Sequence, residues 1–139
     1  MNVIQNGDIK RESEFFTMAE LSCRHCGKLE IDWTFFDLIT ELRKFIDKPI
    51  KVSSFYRCPE HNQQIGGTKN SAHLYGKGID ISLVNTPLVS LVIAVEQFGV
   101  GKFNGMGYYP DSQDRIIHLD NLNRFARWVR LSGKYHSLL

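Results

Sequence analysis

Two short stretches of the sequence carry residue types that could bind a metal ion. In "SAHLYGKGID", His73 precedes Asp80 by seven residues, with Gly76 and Gly78 between them. In "IIHLD", His118 lies in a stretch with the composition of a β-strand. Two imidazoles and one carboxylate, with a fourth position open to water, are the composition of a catalytic zinc site.

The spacing of these residues is compatible with a common site. If Asp80 begins a strand and His73 lies in the preceding loop, both side chains face one point, because the intervening glycines let the backbone bend tightly. Strand alternation puts His118 and Asp120 on one face. A histidine on a strand is nonetheless more often hydrogen-bonded than metal-bound, and an aspartate after glycine more often forms a turn. Spacing alone leaves both interpretations open.

The three cysteines are a second place where metal binding could be considered. Cys23 and Cys26 form "CRHCG", which is half of a zinc-ribbon pattern. A structural zinc of that kind takes four ligands, usually from a second pair, and only Cys58 remains. An odd number of cysteines does not indicate a disulfide framework. We therefore expect reduced, mostly structural cysteines, and a metal role for Cys23 and Cys26 stays open.

Length and composition predict one globular domain and exclude several classes of protein. The chain has 139 residues, of which 42% are hydrophobic and 23% are charged, as in ordinary soluble domains. A net charge of +2 is too small to indicate a nucleic-acid partner. The longest apolar run, within residues 87–95, is too short for a membrane span. We expect a monomer that neither binds nucleic acid nor inserts into membranes.

The N-terminal residues differ in character from the rest of the chain. Residues 1–14 are polar and lack periodicity, so we predict an N-terminal arm followed by a single domain over residues 15–139. The first residues, "MNVIQNGDIKRESEFF", contain no apolar stretch typical of a signal peptide. The sequence therefore favours a protein made in the cytoplasm.

Local signals predict four helical segments. Thr17 and Glu20 have capping-box spacing and should open a short helix. Asp32 can cap a longer helix that ends near Asp47, since apolar residues recur there at helical spacing. A helical turn is predicted at residues 59–64. The last helix should begin at Thr86 and Pro87 and end at Gly99.

The strand signals complete the predicted fold class. β-Branched and aromatic residues indicate a strand at Ile50–Tyr56 and another around Asp80. "FNGMGYY", "RIIHLD" and "FARWVRL" are typical of short antiparallel strands. Because strands and helices do not alternate regularly, we predict an α+β fold in which helices pack on a small, mainly antiparallel sheet.

Taken together, these motifs resemble those of the zinc D-Ala-D-Ala carboxypeptidases and related peptidoglycan endopeptidases. That family shares a fold with the hedgehog signalling domain, and many members are carried by bacteriophages. Three ordered motifs carry the resemblance: S-x-H-x-x-G-x-x-x-D at Ser71, His73, Gly76 and Asp80, Tyr-Arg-Ser/Cys-Pro at Tyr56, Arg57, Cys58 and Pro59, and H-x-D at His118 and Asp120. The resemblance spans roughly residues 15–128, and it implies a hedgehog/D-Ala-D-Ala-peptidase-like fold.

The resemblance also implies roles for individual residues. It implies one catalytic Zn²⁺ ion with His73, Asp80 and His118 as ligands. Arg57 would stabilise the oxyanion or hold a substrate carboxylate, for which a planar and permanently charged guanidinium is well suited.

Polar and aromatic residues near these motifs are expected to bind substrate. Ser71 could donate a hydrogen bond to substrate or serve as a turn or cap residue. Tyr109 is expected to contact substrate, and Tyr108 and Trp128 could line the same cleft.

The sequence departs from many relatives at the position of the general base. Many relatives place a glutamate three residues before the last histidine ligand, where this chain has Arg115. Others carry a histidine two residues before it, where this chain has Ile116. We therefore assign Asp120, on the strand face of that histidine, as the general base or as a residue that orients the ligand, ahead of Asp114 and Asp111.

The implied function is hydrolysis of peptide bonds in the stem or cross-bridge of bacterial peptidoglycan. This covers a D-Ala-D-Ala carboxypeptidase and an endopeptidase. The lack of a visible signal peptide fits a phage-type endolysin that another factor releases or delivers to the cell wall. The alternative is a non-catalytic, zinc-stabilised module of the same fold that binds peptide or protein, because the hedgehog relationship and the missing glutamate are compatible with it.

Overall fold

The computed structural model describes all residues, 1–139, and has the predicted α+β architecture. Four α-helices are present: α1 (Met18–Leu21), α2 (Trp33–Ile46), α3 (Pro59–Gln64) and α4 (Leu88–Gly99). Eight strands are present: β1 (Asn2–Asn6), β2 (Ile9–Ser13), β3 (Ile50–Ser54), β4 (Gly78–Leu83), β5 (Gly105–Tyr109), β6 (Ile116–Asp120), β7 (Ala126–Leu131) and β8 (Lys134–Ser137). Two short 3₁₀ helices span Ala72–Tyr75 and Val100–Lys102.

Six of the strands form one sheet, in the order β3-β4-β6-β5-β7-β8. All neighbours in this sheet are antiparallel except β5 and β7, which are parallel. The prediction of a mainly antiparallel sheet is confirmed, but β7 does not pair as an antiparallel neighbour. After β6 the chain passes over β5, and β7 pairs with the side of β5 that β6 leaves free. Strand β7 runs antiparallel to β6, as β5 does. It therefore runs with β5.

The helix ends follow the predicted capping signals. Thr17 and Glu20 form a reciprocal capping box at the start of α1. The Asp32 carboxylate accepts a hydrogen bond from the Phe35 amide, 2.9 Å away, and so caps α2. Pro87 immediately precedes α4, whose last residue is Gly99 as predicted.

The N-terminal residues form structure that their polar composition does not indicate. Strands β1 and β2 pair as an antiparallel hairpin across the region predicted as a polar arm, residues 1–14. Only Ile4 and Ser13 of this hairpin are buried, so its sequence lacks the apolar alternation of a half-buried strand. Strand β8 is exposed along its whole length and was missed for the same reason.

The hydrophobic core lies between the helices and one face of the large sheet. Ile79, Ile81, Ile117 and Leu119 point from β4 and β6 into this core and are at most 1% exposed. Side chains alternate along a strand, so the residues between them face the opposite side of the sheet. That opposite side carries the polar residues of interest. None of the four helices has both the length and the apolar character needed to cross a membrane.

Gly76 joins the 3₁₀ helix at Ala72–Tyr75 to strand β4, where the backbone must reverse in little space. Its φ of 64° lies in the left-handed region, and a Cβ atom at this position would overlap the backbone of Glu30 and Ile31. The Gly76 carbonyl also accepts a hydrogen bond from the Asp32 amide, 3.1 Å away. Glycine is therefore required for both its conformation and its lack of a side chain.

Replacing Gly76 with alanine should destabilise the fold by about 2–4 kcal/mol, from left-handed strain and overlap with rigid backbone. Chemical denaturation measures this loss. Gly7→Ala is a matched control, because Gly7 has a similar φ of 60° but no neighbouring atom within 4 Å. It should cost only about 1–2 kcal/mol. Equal losses in the two variants would contradict the packing argument.

Candidate metal centre

The pairing of β4 with β6 brings Asp80 and His118 face to face. The two residues are direct partners in the antiparallel register, and His118 Nδ1 lies 2.8 Å from Asp80 Oδ1. His73 approaches from the 3₁₀ helix before β4, and its Nε2 lies 3.2 Å from the same oxygen. One donor atom from each of the three residues lies within 4.8 Å of the other two. The structure thus brings together the three residues expected to be metal ligands.

His73 is held so that one ring nitrogen faces the site without a hydrogen-bond partner. Its Nδ1 lies 2.6 Å from the carbonyl oxygen of Phe55, so Nδ1 carries the proton and donates it. Its Nε2 is buried, and the contact to Asp80 lacks hydrogen-bond geometry. Burial lowers the pKa of His73, which keeps the ring neutral. A buried neutral imidazole with a free lone pair is suited to metal binding.

His118 is oriented by a carboxylate behind it. Its Nε2 lies 2.7 Å from Asp120 Oδ2, so Nε2–H donates to Asp120 and Nδ1 faces Asp80. Asp120 is fully buried and also accepts two hydrogen bonds from the Arg124 guanidinium, at 2.7 and 2.9 Å. The Leu122 amide donates to the same carboxylate at 3.1 Å. Both oxygens of Asp120 are therefore engaged within the protein.

Both carboxylates of the site stay ionised, and the pKa of the imidazole between them is raised. Burial raises the pKa of Asp80, but His73 and His118 outweigh it and hold that pKa well below its usual range. His118 and Arg124 do the same for Asp120. Burial disfavours charge on His118, yet its hydrogen bonds to the two carboxylates raise its pKa to about 9. Without metal, the site therefore retains a proton on His118 at neutral pH.

A cleft of about 560 Å³ opens above these residues. His73, Asp80, His118 and Asp120 line it together with three arginines and several aromatic side chains. The remaining charged and aromatic lining residues are Arg57, Arg124, Arg130, Tyr109, Trp128 and Tyr135. Arg124 is paired with Asp120, whereas Arg57 and Arg130 form no ion pair and favour an anionic ligand group, such as a peptide carboxylate or an oxyanion.

Arg57 and Ser71 lie together at one wall of the cleft. The Arg57 Nη2 donates to Ser71 Oγ at 3.1 Å, and the Ser71 hydroxyl also accepts from the His73 amide at 3.3 Å. Ser71 is thus the N-cap of the 3₁₀ helix, as its turn or cap interpretation predicted. Arg57 Nε is buried without a hydrogen-bond partner. Because the guanidinium makes only the one hydrogen bond to Ser71, it has donor capacity left for a ligand in the cleft.

Tyr109 and Trp128 form another part of the cleft lining. The Trp128 indole N–H donates to the Tyr109 hydroxyl at 3.0 Å, and the Trp128 ring lies 5.4 Å from the His118 ring. Trp128 lies over Gly107, where any side chain would overlap the indole. Burial raises the pKa of Tyr109 to about 12, so its hydroxyl stays protonated and can donate to a ligand.

Some expected residues lie elsewhere, and some cleft residues were not anticipated. Asp114 pairs with Lys51 at 2.9 Å, and Asp111 accepts from the Ser132 amide at 2.7 Å; neither lines the cleft. Tyr108 packs against the core. Arg124, Arg130 and Tyr135 were missed. The spacing of Arg124, four residues after Asp120, could have indicated an ion pair between them. Arg130 and Tyr135 lie on β7 and β8, the last two strands in the order of the sheet, and no local pattern placed them at the cleft.

Comparison with known proteins agrees with this geometry. The model of the peptidase M15 family matches residues 14–120. The chain is 37% identical over 76 residues to a probable peptidoglycan L,D-endopeptidase MepK of Haemophilus influenzae. The aligned region covers 51% of this chain and 38% of that protein. It is 34% identical over 62 residues to the zinc D-Ala-D-Ala carboxypeptidase of Streptomyces albus G, covering 45% of this chain and 24% of that protein.

The chain thus spans well under half the length of these two curated relatives. The family match is broader, since it runs from the residue after the N-terminal hairpin to the end of β6 and includes His73, Asp80, His118 and Asp120. On that match, the chain belongs to the peptidase M15 family.

Proposed function

We propose that this chain is a zinc-dependent peptidase that hydrolyses peptide bonds in the stem or cross-bridge of bacterial peptidoglycan. The observation that carries the proposal is the convergence of His73, Asp80 and His118 at the floor of an arginine-lined cleft. Family membership and the activities for which the two relatives are named support the same reaction and substrate class. The cell wall is accordingly the proposed place of action.

The three converging donors fit a zinc ion. Two imidazole nitrogens and one carboxylate oxygen are a known donor set of catalytic zinc, and the buried Nε2 of His73 lacks a hydrogen-bond partner within the protein. We propose His73 Nε2, His118 Nδ1 and Asp80 as the ligands. When bound, zinc supplies Lewis-acid chemistry that polarises a peptide carbonyl and makes water nucleophilic near neutral pH.

The protein's own groups bind and orient the substrate. Arg57 lines the cleft and its guanidinium makes one hydrogen bond within the protein, so it is proposed to hold a substrate carboxylate or to stabilise the developing oxyanion. Tyr109 stays protonated and is proposed to donate a hydrogen bond to the substrate in the cleft. Ser71 acts on Arg57 and His73 through its hydrogen bonds and thereby positions both residues.

Of the two roles assigned to Asp120, the geometry favours orientation of His118. Its oxygens already accept hydrogen bonds from His118, Arg124 and the Leu122 amide. A carboxylate with a depressed pKa and no free lone pair toward the cleft is a poor proton acceptor. We propose that Asp120 fixes the His118 tautomer, so that Nδ1 faces the ion.

One observation favours a second candidate function. Asp80 and Asp120 are the two carboxylates that line the cleft. Asp80 is a proposed metal ligand, and Asp120 is hydrogen-bonded to His118, so neither is available as a proton acceptor. A site without an uncommitted carboxylate suits a non-catalytic module that keeps zinc and binds a peptide or protein. Such a module would contain zinc and release no product from peptidoglycan.

Digestion of purified peptidoglycan distinguishes these two functions. The wild-type protein, loaded with zinc, should release peptides with new termini that mass spectrometry assigns to one bond. His73→Ala should lose this activity, because it removes a proposed ligand. Asp114→Asn should retain it, because Asp114 lies outside the cleft in an exposed ion pair. Absence of product from zinc-loaded wild type would rule out the peptidase and leave the binding module.

Zinc affinity at the cleft should increase with pH below about pH 9. Without metal, His118 holds a proton because its pKa is raised to about 9, and zinc must displace that proton from Nδ1. Release of one proton per ion makes the dissociation constant fall about tenfold per pH unit between about pH 6 and pH 8. Competition with a chelator measures this dissociation constant. The zinc that His73→Ala binds is subtracted, because this variant lacks a proposed ligand and reports only binding elsewhere. A pH-independent constant over this range would refute the proposed proton.

Asp120→Asn tests whether Asp120 orients His118 or accepts a proton. Loss of an orienting carboxylate should weaken zinc affinity by about 10–100-fold. Activity should then recover when zinc is supplied in excess. Asp114→Asn again serves as the control for removal of a carboxylate. If Asp120→Asn binds zinc normally but stays inactive at saturating zinc, Asp120 is the general base and our assignment fails.

A further inference from the structure

The three cysteines converge on the far side of the loop that carries Arg57. Cys23 and Cys26 follow helix α1, and Cys58 immediately precedes α3. Their sulfur atoms all lie within 4.8 Å of one another, and none is in a disulfide. The sequence offered no second pair to complete "CRHCG". The fold supplies the third thiol from a residue 35 positions beyond Cys23.

The backbone around Cys23 is shaped to present two thiols to one point. The Gly27 amide donates to the Cys23 carbonyl at 2.9 Å, and the Cys23 amide donates to the Lys28 carbonyl at 2.8 Å. Gly27 adopts a φ of 74°, which lets the chain turn back immediately after Cys26. The result is a tight loop with a thiol at each side.

Backbone amides also point at two of the sulfur atoms. The Cys58 amide donates to Cys23 Sγ at 3.3 Å, and the His61 amide donates to Cys58 Sγ at 3.4 Å. Cys23 and Cys58 are buried, whereas Cys26 is exposed and leaves the cluster accessible to an ion.

An imidazole stands beside one of the three thiols, that of Cys58, and the Glu60 carboxylate lies near the same pair. His25 Nδ1 lies 3.4 Å from Cys58 Sγ, and the His25 ring is stacked on the His61 ring with centroids 5.8 Å apart. Three thiolates and one imidazole form one of the closed donor sets of structural zinc. Zinc binding would also explain why thiols from two separate segments meet beside a histidine.

We propose that Cys23, Cys26 and Cys58 form a second, structural zinc site separate from the cleft, and that the exposed His25 ring turns from its position beside Cys58 to become the fourth ligand. This site does not depend on the proposed peptidase activity.

The position of this site connects it to the cleft. Cys58 follows Arg57 directly, and the Tyr56 amide donates to the Leu21 carbonyl at 3.1 Å. On its other side the same loop supplies the Phe55 carbonyl that fixes His73, and the Arg57 amide donates to the His73 carbonyl at 3.1 Å. An ion held by the cysteines would therefore stabilise the loop that positions Arg57 and His73.

Zinc content of the full-length protein and of single variants tests the proposal. Protein purified under reducing conditions with zinc should contain two ions per chain by elemental analysis. Cys26→Ser removes an exposed thiol and should retain only the cleft ion. His73→Ala should retain only the cysteine-bound ion. A wild-type content of one ion that Cys26→Ser leaves unchanged would overturn the second site.

Cobalt substitution identifies the ligands without relying on the stability of a cysteine variant. Cobalt-loaded His73→Ala should show the near-ultraviolet absorption of sulfur-to-cobalt charge transfer, since its three cysteines are intact. Absence of this band, or an intact mass lower by two hydrogens that indicates a disulfide, would overturn the proposal. His25→Ala should weaken zinc retention against a chelator at this site, and unchanged retention would overturn the assignment of His25.

Discussion

The antiparallel pairing of β4 with β6 is the constraint on which the whole site depends. Its register sets Asp80 directly opposite His118 and puts Ile79, Ile81, Ile117 and Leu119 on the reverse face. Because side chains alternate along a strand, a slip of one residue would drive the polar pair into the core and expose the apolar residues. Burial of the apolar face therefore enforces the geometry of the polar face.

Around this pair, neighbouring groups of opposite charge neutralise one another. Arg124 neutralises Asp120, Asp120 fixes one nitrogen of His118, and the remaining nitrogen faces Asp80 together with His73. Each imidazole thus has one nitrogen committed to the protein and one directed at a common point. A divalent ion at that point would offset the buried Asp80 charge. The proposed cysteine site would stabilise the loop at residues 55–58 through Cys58.

Local signals were sufficient for much of the fold, and non-local pairing accounts for what was missed. The capping residues Thr17 and Asp32 marked helix starts correctly, and alternation correctly set His118 and Asp120 on one face. The parallel pairing of β7 with β5 depends on where the chain crosses the sheet, which short-range patterns do not encode. The approach of Cys58 to Cys23 is likewise a consequence of tertiary folding.

Anomalous diffraction at the zinc absorption edge, from crystals grown with zinc, tests the central claim most directly. A peak is predicted at about 2.0–2.1 Å from both His73 Nε2 and His118 Nδ1, with an Asp80 oxygen at about 2.0–2.2 Å. Absence of a peak between these atoms would contradict the proposed centre. So would an ion bonded to His118 Nε2, the nitrogen that donates to Asp120 in this structure.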